Sequence, residues 1–235
     1  MTRYQRQIAL EGWSTEGQAR MQRSRVAIVG VGGLGSPISL YLAAAGVGTI
    51  GLIDNDTVSL NNLQRQVLYT EDEIGESKAI KAAEHLRRIN STIIVKSFNS
   101  RLDQHNYRTL LDGYDIVIDG CDNFSTRHLI AKYCEDADIP YIYGAIHGFE
   151  GQVSIFHPSK GTIRYSDLYP QTESLSPEGV KAIVPDNSVA GTTPAVVGSI
   201  MANEAIKLIV GVGEPLIGKL WTIDLRNLET NIINF

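Results

Sequence analysis

Apolar and polar positions follow two alternating patterns along most of this chain. Short, mostly apolar runs occur at residues 26–29, 49–53 and 115–119, and runs of this kind are typical of buried parallel strands. Residues 78–89 instead repeat at helical spacing. One side of that helix is apolar: Ala79, Ala82, Ala83, Leu86 and Ile89. The alternation predicts an α/β fold with a doubly wound, Rossmann-like, mainly parallel sheet.

The pattern changes after residue 148. Up to that point it predicts further strands at 93–95 and from 140, and helices at 36–45, 102–111 and 126–137. Beyond it, an alternating run at 151–156, an apolar helix at 195–210 and a hairpin of 220–224 with 229–233 predict a C-terminal antiparallel extension. Residues 159–194 are rich in Pro, Ser, Thr and Gly, which predicts a flexible crossover segment.

A glycine-rich loop directly follows the first predicted strand. It reads Gly30-Val31-Gly32-Gly33-Leu34-Gly35. Glycines such as Gly32 and Gly33 let backbone N–H groups approach a phosphate, and the helix that follows adds its positive N-terminal end. Asp54 ends the second strand, about 20 residues past the last glycine, where a ribose hydroxyl is usually held. The combination predicts a nucleotide site, and the alternative is a tight strand-to-helix turn without a ligand.

Several charged residues are expected at the same edge of the sheet: Asp54, Asp56, Arg65, Lys78 and Asp122. Two cations near a glycine loop are poorly suited to hydride transfer, but they suit the phosphates of a nucleoside triphosphate. Asp122 is a candidate ligand for a magnesium ion that bridges phosphate oxygens. Each residue alone is better explained as a surface charge or an ordinary surface ion pair, so the prediction depends on their expected co-location.

Composition narrows the class of protein. The chain has 235 residues, 43% hydrophobic and 20% charged, as in an ordinary soluble domain. Its longest apolar run falls short of the roughly 18 residues of a membrane span, and its start lacks a signal-peptide core. A net charge of −5 argues against a nucleic-acid partner. Cys121 and Cys134 form neither a disulfide framework nor a zinc motif, which favours a reducing cytoplasm.

The charged motifs carry a resemblance to a known family. The relevant stretches are residues 3–7, 30–35, 54–66, 75–79, 119–123, 126–127, 151–153, 190–191, 198–199 and 204–207. They resemble the ThiF/MoeB/HesA family, which is related to ubiquitin-activating enzymes, over essentially the whole chain. The most specific stretch is 54–66, which ends in Asn61-Asn62-Leu63-Gln64-Arg65-Gln66.

The resemblance implies an activity and a set of roles. Such proteins use ATP and magnesium to adenylate the C-terminal glycine of a ubiquitin-like sulfur-carrier protein. The matching positions imply ribose binding by Asp54, triphosphate contacts from Asn62, Arg65 and Lys78, and magnesium binding by Asp122. Arg6 matches an arginine that family homodimers lend to the partner subunit's phosphates.

The same resemblance implies how the chain is divided. Residues 1–235 form a single adenylation domain, with a nucleotide-binding half at about 24–148 and a carrier-binding half at 149–235. The crossover segment, at about 159–194, closes over the Gly-Gly tail of the carrier.

The sequence departs from the family at two places. Many members hold zinc with two Cys pairs, but residues 164–167 and the C-terminus contain no cysteine. We therefore expect no zinc, and packing by Tyr165, Tyr169 and Trp221 in place of that crosslink. Asn187 stands where some members have a reactive cysteine. The chemistry is accordingly expected to stop at the acyl-adenylate, with sulfur delivered by a separate donor.

Three functions remain open at this stage. The zinc-free pattern favours a ThiS-like carrier, which serves the synthesis of the thiamine thiazole. A MoaD-like carrier, which serves molybdopterin synthesis, is the alternative within the same class. An NAD-dependent oxidoreductase is the alternative from a different class, although the sequence offers no acid or base for hydride transfer.

Overall fold

A computed structural model describes residues 3–170 and 188–235 of the chain. In those two ranges the helices are α1 (Gln5–Ile8), α2 (Ser14–Arg23), α3 (Gly35–Ala45), α4 (Lys78–Ile89), α5 (Tyr107–Leu111), α6 (Phe124–Ala137), α7 (Tyr165–Leu168) and α8 (Thr192–Val210). The strands are β1 (Arg25–Val29), β2 (Thr49–Ile53), β3 (Ile94–Phe98), β4 (Ile116–Asp119), β5 (Tyr141–His147), β6 (Glu150–Phe156), β7 (Lys219–Asp224) and β8 (Glu229–Asn234).

These strands form one eight-stranded sheet in the order β3-β2-β1-β4-β5-β6-β7-β8. The first five are parallel, whereas β6, β7 and β8 add to the sheet as antiparallel neighbours. The predicted fold class is therefore confirmed. Strand order reverses between β1 and β4, and in doubly wound sheets ligands bind at the carboxyl ends of the strands at such a switch point.

Helices cover both faces of the parallel strands, which explains their continuous apolar runs. Val26 and Ile28 of β1 point into a core shared with α3, α4 and α8, whereas Ala27 and Val29 face a second core shared with α5 and α6. All four side chains are buried. Burial on both faces fixes the register of β1, because a slip of one residue would exchange the two faces.

Two element boundaries differ from the sequence prediction. The helix predicted at 102–111 begins only at Tyr107, because the Asp103 carboxylate accepts the N–H groups of His105 and Asn106 and closes a turn instead. The crossover segment predicted at 159–194 already contains α7, and α8 begins inside it at Thr192. Pro194 fits the first turn of α8, where its missing N–H has no helical partner to lose. Residues 171–187 lie outside the described part of the chain.

Helix α8 is long and apolar enough, with a mean hydropathy of 1.3, to meet a length-and-composition criterion for a membrane span. Core helices of globular proteins meet the same criterion. Here α8 packs against α3, β5 and β6, and more than half of its apolar window is buried within the fold. Burial against these elements accounts for its apolar composition.

Candidate nucleotide-binding site

The glycine loop lies at the switch point, between β1 and α3. Gly30 has a φ of +87°, a left-handed conformation that favours glycine. A Cβ on Gly30 would stand 2.6 Å from the Gly120 carbonyl oxygen, and one on Gly35 would collide with the Gly30 carbonyl. The loops that follow β1 and β4 therefore touch through backbone alone. This contact brings the Gly30–Gly35 loop next to the loop that carries Asp122.

Asp54 follows β2 and holds the glycine loop in place. One carboxylate oxygen accepts the Val31 N–H at 2.8 Å, and the other accepts the Asp56 N–H at 2.8 Å. Burial raises the pKa of Asp54 above its ordinary value, although these hydrogen bonds and Lys78 oppose the shift. The carboxylate keeps lone pairs free, so it can still accept hydroxyl hydrogens from a ribose.

Lys78 begins α4 and points to the same edge of the sheet. Its side chain is only 4% exposed, and its Nζ lies 3.1 Å from a carboxylate oxygen of Asp56, which is 64% exposed. The Lys78 N–H also donates to the Asp56 carbonyl at 3.0 Å. A buried ammonium with a single exposed carboxylate partner is well placed to attract a further anion.

Arg65 lies in a compact turn that starts with a 3-10 helix at Leu60–Asn62. The Asn62 carbonyl accepts the N–H groups of Arg65 and Gln66. The Arg65 guanidinium donates to the Asn61 carbonyl at 3.1 Å, and its stem reaches within 3.7 Å of where a Cβ on Gly33 would stand. The structure therefore places Arg65 beside the glycine loop and Asn62 in the turn that holds Arg65 there.

Asp122 is exposed in the loop after β4. Its carboxylate makes no hydrogen bond or ion pair with any other residue in ranges 3–170 and 188–235. Magnesium in nucleotide sites is commonly held by one or two carboxylates together with phosphate oxygens, so an unengaged carboxylate here fits such an ion. Across the described residues, no group of three or more His, Cys, Asp and Glu side chains converges as a metal site.

A buried ion pair supports the Asp122 loop, and neither of its residues was predicted to belong to the site. Asp119 is fully buried, and its carboxylate accepts from Arg127 Nε at 3.0 Å and from the Tyr141 hydroxyl at 2.9 Å. Arg127 also donates to the carbonyls of Cys121 and Gly144. Both residues lie in stretches that carry the family resemblance, and Asp119 ends an otherwise apolar strand, but neither signal shows that the two side chains pair.

Both cysteines are poor nucleophiles in this fold. Burial raises the pKa of Cys121, and the nearby Asp119 carboxylate raises it further. The Cys121 thiol donates to that carboxylate at 2.7 Å. Cys134 is buried in the core, which raises its pKa as well. Thiols held in the protonated form do not attack carbonyl or phosphoryl groups readily.

Arg6 lies near the amino-terminal ends of the strands, whereas the other candidate residues lie near the carboxyl-terminal ends. It belongs to α1, where the neighbouring Gln7 donates to the Ala45 carbonyl at 2.8 Å, and the Tyr4 ring covers Gly46 at the end of α3. That end of α3 adjoins the amino ends of the strands. Arg6 is exposed and has no ion-pair partner among the described residues. Within one chain it does not join Asp54 and Lys78.

The region around residues 164–169, where the sequence predicts aromatic packing in place of a zinc site, contains closely packed aromatic side chains. Tyr165 of α7 packs against Tyr169 and Phe156, with ring centroids 5.1 and 5.5 Å away. These contacts agree with the packing expected of Tyr165 and Tyr169. The third expectation was wrong, because Trp221 in β7 packs against the core on the other face of the sheet. Side chains alternate along β7, and its register puts Trp221 on that face.

The fold and these side chains define a class of nucleotide-binding protein. It is a doubly wound α/β protein whose switch point combines a glycine loop, a carboxylate at the position that usually binds ribose, and two cations. The chain belongs to the ThiF family, whose sequence profile matches residues 4–235.

Individual relatives agree with this assignment. The chain is 42% identical to the probable adenylyltransferase/sulfurtransferase MoeZ of Mycobacterium tuberculosis, over 99% of this chain and 59% of MoeZ. It is 41% identical to the sulfur carrier protein adenylyltransferase of Thermus thermophilus, over 95% and 83% of the two chains. It is 40% identical to the SAMP-activating enzyme E1 of Haloferax volcanii, over 100% and 85%. The chain thus spans about three fifths of MoeZ.

Solved structures with the same fold include one crystallised with a nucleotide. Escherichia coli MccB with ATP superposes with a TM-score of 0.86 at 27% identity, over 99% of this chain and 70% of that chain. PaaA superposes with a TM-score of 0.82 at 26% identity, over 99% and 72%.

Proposed function

We propose that this protein is an ATP-dependent adenylyltransferase that activates the C-terminal glycine of a ubiquitin-like sulfur-carrier protein. The observation that carries the proposal is the position of Arg65 and Lys78 beside the glycine loop, with the unengaged carboxylate of Asp122 nearby. Two cations at this place suit a triphosphate better than a nicotinamide dinucleotide. The names of the Thermus and Haloferax relatives support the same activity.

The chemistry needs positioning and charge neutralisation more than proton transfer. The terminal carboxylate of the carrier attacks the α-phosphorus of ATP; a new P–O bond forms, the α–β bridging P–O bond breaks, and pyrophosphate leaves. The nucleophile is already an anion, so no general base is required. Arg65 and Lys78 lower the repulsion between carboxylate and triphosphate, and Asp54 orients the ribose. A bound magnesium ion, held by Asp122, would supply further positive charge.

The location of Arg6 supports a homodimer. An exposed arginine without an ion-pair partner in the described part of the chain lies at the sheet edge opposite Asp54 and Lys78. We propose that it completes the phosphate site of a second copy. Mixing Arg6→Ala subunits with Arg65→Ala subunits should then restore part of the activity, because one site of the mixed dimer keeps both arginines. Absence of any restoration, with mixed dimers demonstrated, would contradict the shared site.

A groove beside the C-terminal strands offers a path for the carrier tail. Its volume is about 490 Å³, and its lining includes His147, Gln152, Thr222 and Asn231. Next to His147, which lines this groove, the Gly148 N–H donates to the Ser188 carbonyl. Polar side chains along an open sheet face suit an extended peptide, which supports the assignment of residues 149–235 to carrier binding.

The identity of the carrier is the finer part of the proposal. We favour a ThiS-like carrier and thiamine thiazole synthesis because the sequence lacks the zinc cysteines. A MoaD-like carrier is the alternative, and a relative from Porphyra purpurea, 43% identical, is named a probable molybdopterin-synthase adenylyltransferase. We propose a separate sulfur donor in either case, because both cysteines are held as thiols in the fold.

Exchange of labelled pyrophosphate into ATP tests the activity. The wild type should catalyse exchange only with a carrier that ends in Gly-Gly, and comparison of ThiS-like with MoaD-like carriers assigns the pathway. Lys78→Met should reduce exchange about 100-fold or more, the effect typical of removing one group that stabilises developing charge. Its partner Asp56 is exposed, so the loss should not unfold the protein.

Lys81→Met is the matched control, because Lys81 lies on the same helix and pairs with Glu73 and Glu84 instead. Its exchange rate should stay close to that of the wild type. Binding of NADH without any carrier-dependent exchange would contradict the proposed function and favour the oxidoreductase alternative.

A further inference from the structure

Asp54 and Lys78, two of the residues proposed to contact ATP, belong to a closed ring of hydrogen bonds. Asp54 accepts the N–H groups of Val31 and Asp56. Asp56 in turn accepts from Lys78, through its carbonyl and its carboxylate. The ring closes at Tyr69, whose hydroxyl lies 2.7 Å from the Val31 carbonyl and 3.3 Å from the Lys78 carbonyl.

Tyr69 is placed to act on the site without touching a ligand. Only 5% of the residue is exposed, and its ring packs in the core with α3 and α4. Burial raises the pKa of Tyr69, and the nearby Asp54 and Glu73 carboxylates raise it further, so the hydroxyl remains a hydrogen-bond donor. Its single hydrogen points between two backbone carbonyls that belong to different parts of the site.

We infer that Tyr69 is a positioning residue that ties the glycine loop to the start of α4 and so sets the distance between the ribose and phosphate contacts. Val31 lies in the glycine loop, and Lys78 is the first residue of α4. Without the hydroxyl, these two segments would still be linked through Asp54 and Asp56, but Asp56 is largely exposed. On the buried side of the hydrogen-bond ring, no hydrogen bond would then join Val31 to Lys78.

The inference rests on the proposed function, because it assigns to Tyr69 the alignment of the same ATP site. Tyr69→Phe removes the hydroxyl and keeps the aromatic ring of the side chain. Tyr143→Phe is the matched control: Tyr143 is equally buried, its hydroxyl accepts from Gln152 at 2.7 Å, and it packs on the other face of the sheet. Both variants lose a hydroxyl hydrogen bond of 2.7 Å, to the Val31 carbonyl in Tyr69→Phe and from Gln152 in Tyr143→Phe.

Calorimetric titration with Mg·ATP, without carrier, gives the affinity and, from the stoichiometry, the fraction of folded protein. Tyr69→Phe should weaken ATP binding about tenfold, which corresponds to the free energy of about one hydrogen bond. Tyr143→Phe should leave the affinity for ATP unchanged. In pyrophosphate exchange, Tyr69→Phe should raise KM for ATP and leave KM for the carrier unaltered. Urea unfolding should show a similar loss of stability in both variants.

Three outcomes would overturn the inference. Equal ATP affinity in Tyr69→Phe and wild type would reduce the hydroxyl to a structural role and leave the proposed function intact. Equal weakening in Tyr69→Phe and Tyr143→Phe would show a general loss of stability. No ATP binding by the folded wild type would refute both the inference and the proposed function.

A double-mutant cycle provides an independent test. Asp56→Asn weakens the other link of the ring, and Tyr69→Phe with Asp56→Asn should lower ATP affinity by more than the product of the two single effects. When one link is already lost, the remaining link alone holds the two segments together. Strictly multiplicative effects would refute a shared ring.

Discussion

Replacement of Arg127 by Met gives the most direct test of how the Asp122 loop is held. The substitution keeps an unbranched apolar stem in place of the aliphatic part of Arg127 but leaves the Asp119 carboxylate, which is fully buried, without its cation. Burial opposes the charge of Arg127, but the Asp119 carboxylate, together with the nearby side chains of Tyr143, Cys121 and Tyr141, outweighs this effect and the pKa of Arg127 is raised. The Arg127 guanidinium therefore stays charged in the folded protein.

The magnitude follows from the burial of both partners. Breaking a buried ion pair by removing one partner typically costs about 3–5 kcal/mol, because an uncompensated charge remains in the interior. Tyr141 and the Cys121 N–H still donate to Asp119, so we expect the lower half of that range, about 3 kcal/mol. The loop carrying Asp122 also loses the Arg127 bond to the Cys121 carbonyl. Magnesium-dependent exchange should therefore fall as well.

Urea unfolding measures the first effect, and the double variant Arg127→Met with Asp119→Asn is its control. Asn is neutral and keeps an acceptor for the Cys121 N–H, so the double variant should be more stable than Arg127→Met alone by at least about 1 kcal/mol. The reasoning would be refuted by a double variant no more stable than Arg127→Met, or by Arg127→Met unfolding within about 1 kcal/mol of wild type.

Three further predictions concern stability, titration and reactivity. The Tyr165 hydroxyl is buried without a hydrogen-bond partner among the described residues, so Tyr165→Phe should be at least as stable as wild type in urea unfolding. Tyr165→Ala should be less stable by about 3–5 kcal/mol, because it removes the buried aromatic ring. A destabilised Phe variant would contradict this reasoning. Burial raises the pKa of Asp54 above 3.8, so the folded state binds that proton more tightly. The stability of wild type relative to Asp54→Asn should therefore be greatest below that pH and fall as the pH rises through the folded-state pKa; a difference independent of pH would refute it. Cys121 and Cys134 should resist iodoacetamide at pH 7.5 in the folded protein and react in urea, and rapid alkylation of the native protein, detected by mass spectrometry, would show an exposed thiolate.

Much of the fold could be read from the sequence because its signals are local. The strand at 49–53 and the helix at 78–89 occur where their apolar patterns place them. The N-terminal helices α1 and α2 were not predicted, since α1 has no buried residue and α2 packs against α8, which is far away in the chain. The boundary at Tyr107 depends on a single Asp103 side chain competing with the helix, which a periodicity argument does not detect.

The candidate site shows the same division. Asp54, Arg65 and Lys78 could be named from motif and spacing, and the carboxyl ends of parallel strands brought them together as expected. The buried pair of Asp119 and Arg127 could not be recognised, because seven residues lie between them and the contact forms only when α6 packs back on β4. Tyr69 in sequence is one aromatic residue in a loop.

The sequence by itself determined the fold class, the family and the residues available for chemistry, because apolar periodicity and short charged motifs act over a few neighbouring residues. Only the tertiary structure decided three features. Arg6 lies near the amino-terminal ends of the strands, far from Lys78, and Trp221 packs on the face of the sheet away from Tyr165. Tyr69 joins two segments of the site. Those facts depend on contacts between residues far apart in the chain. Such contacts are set by how whole elements pack, which no local pattern encodes.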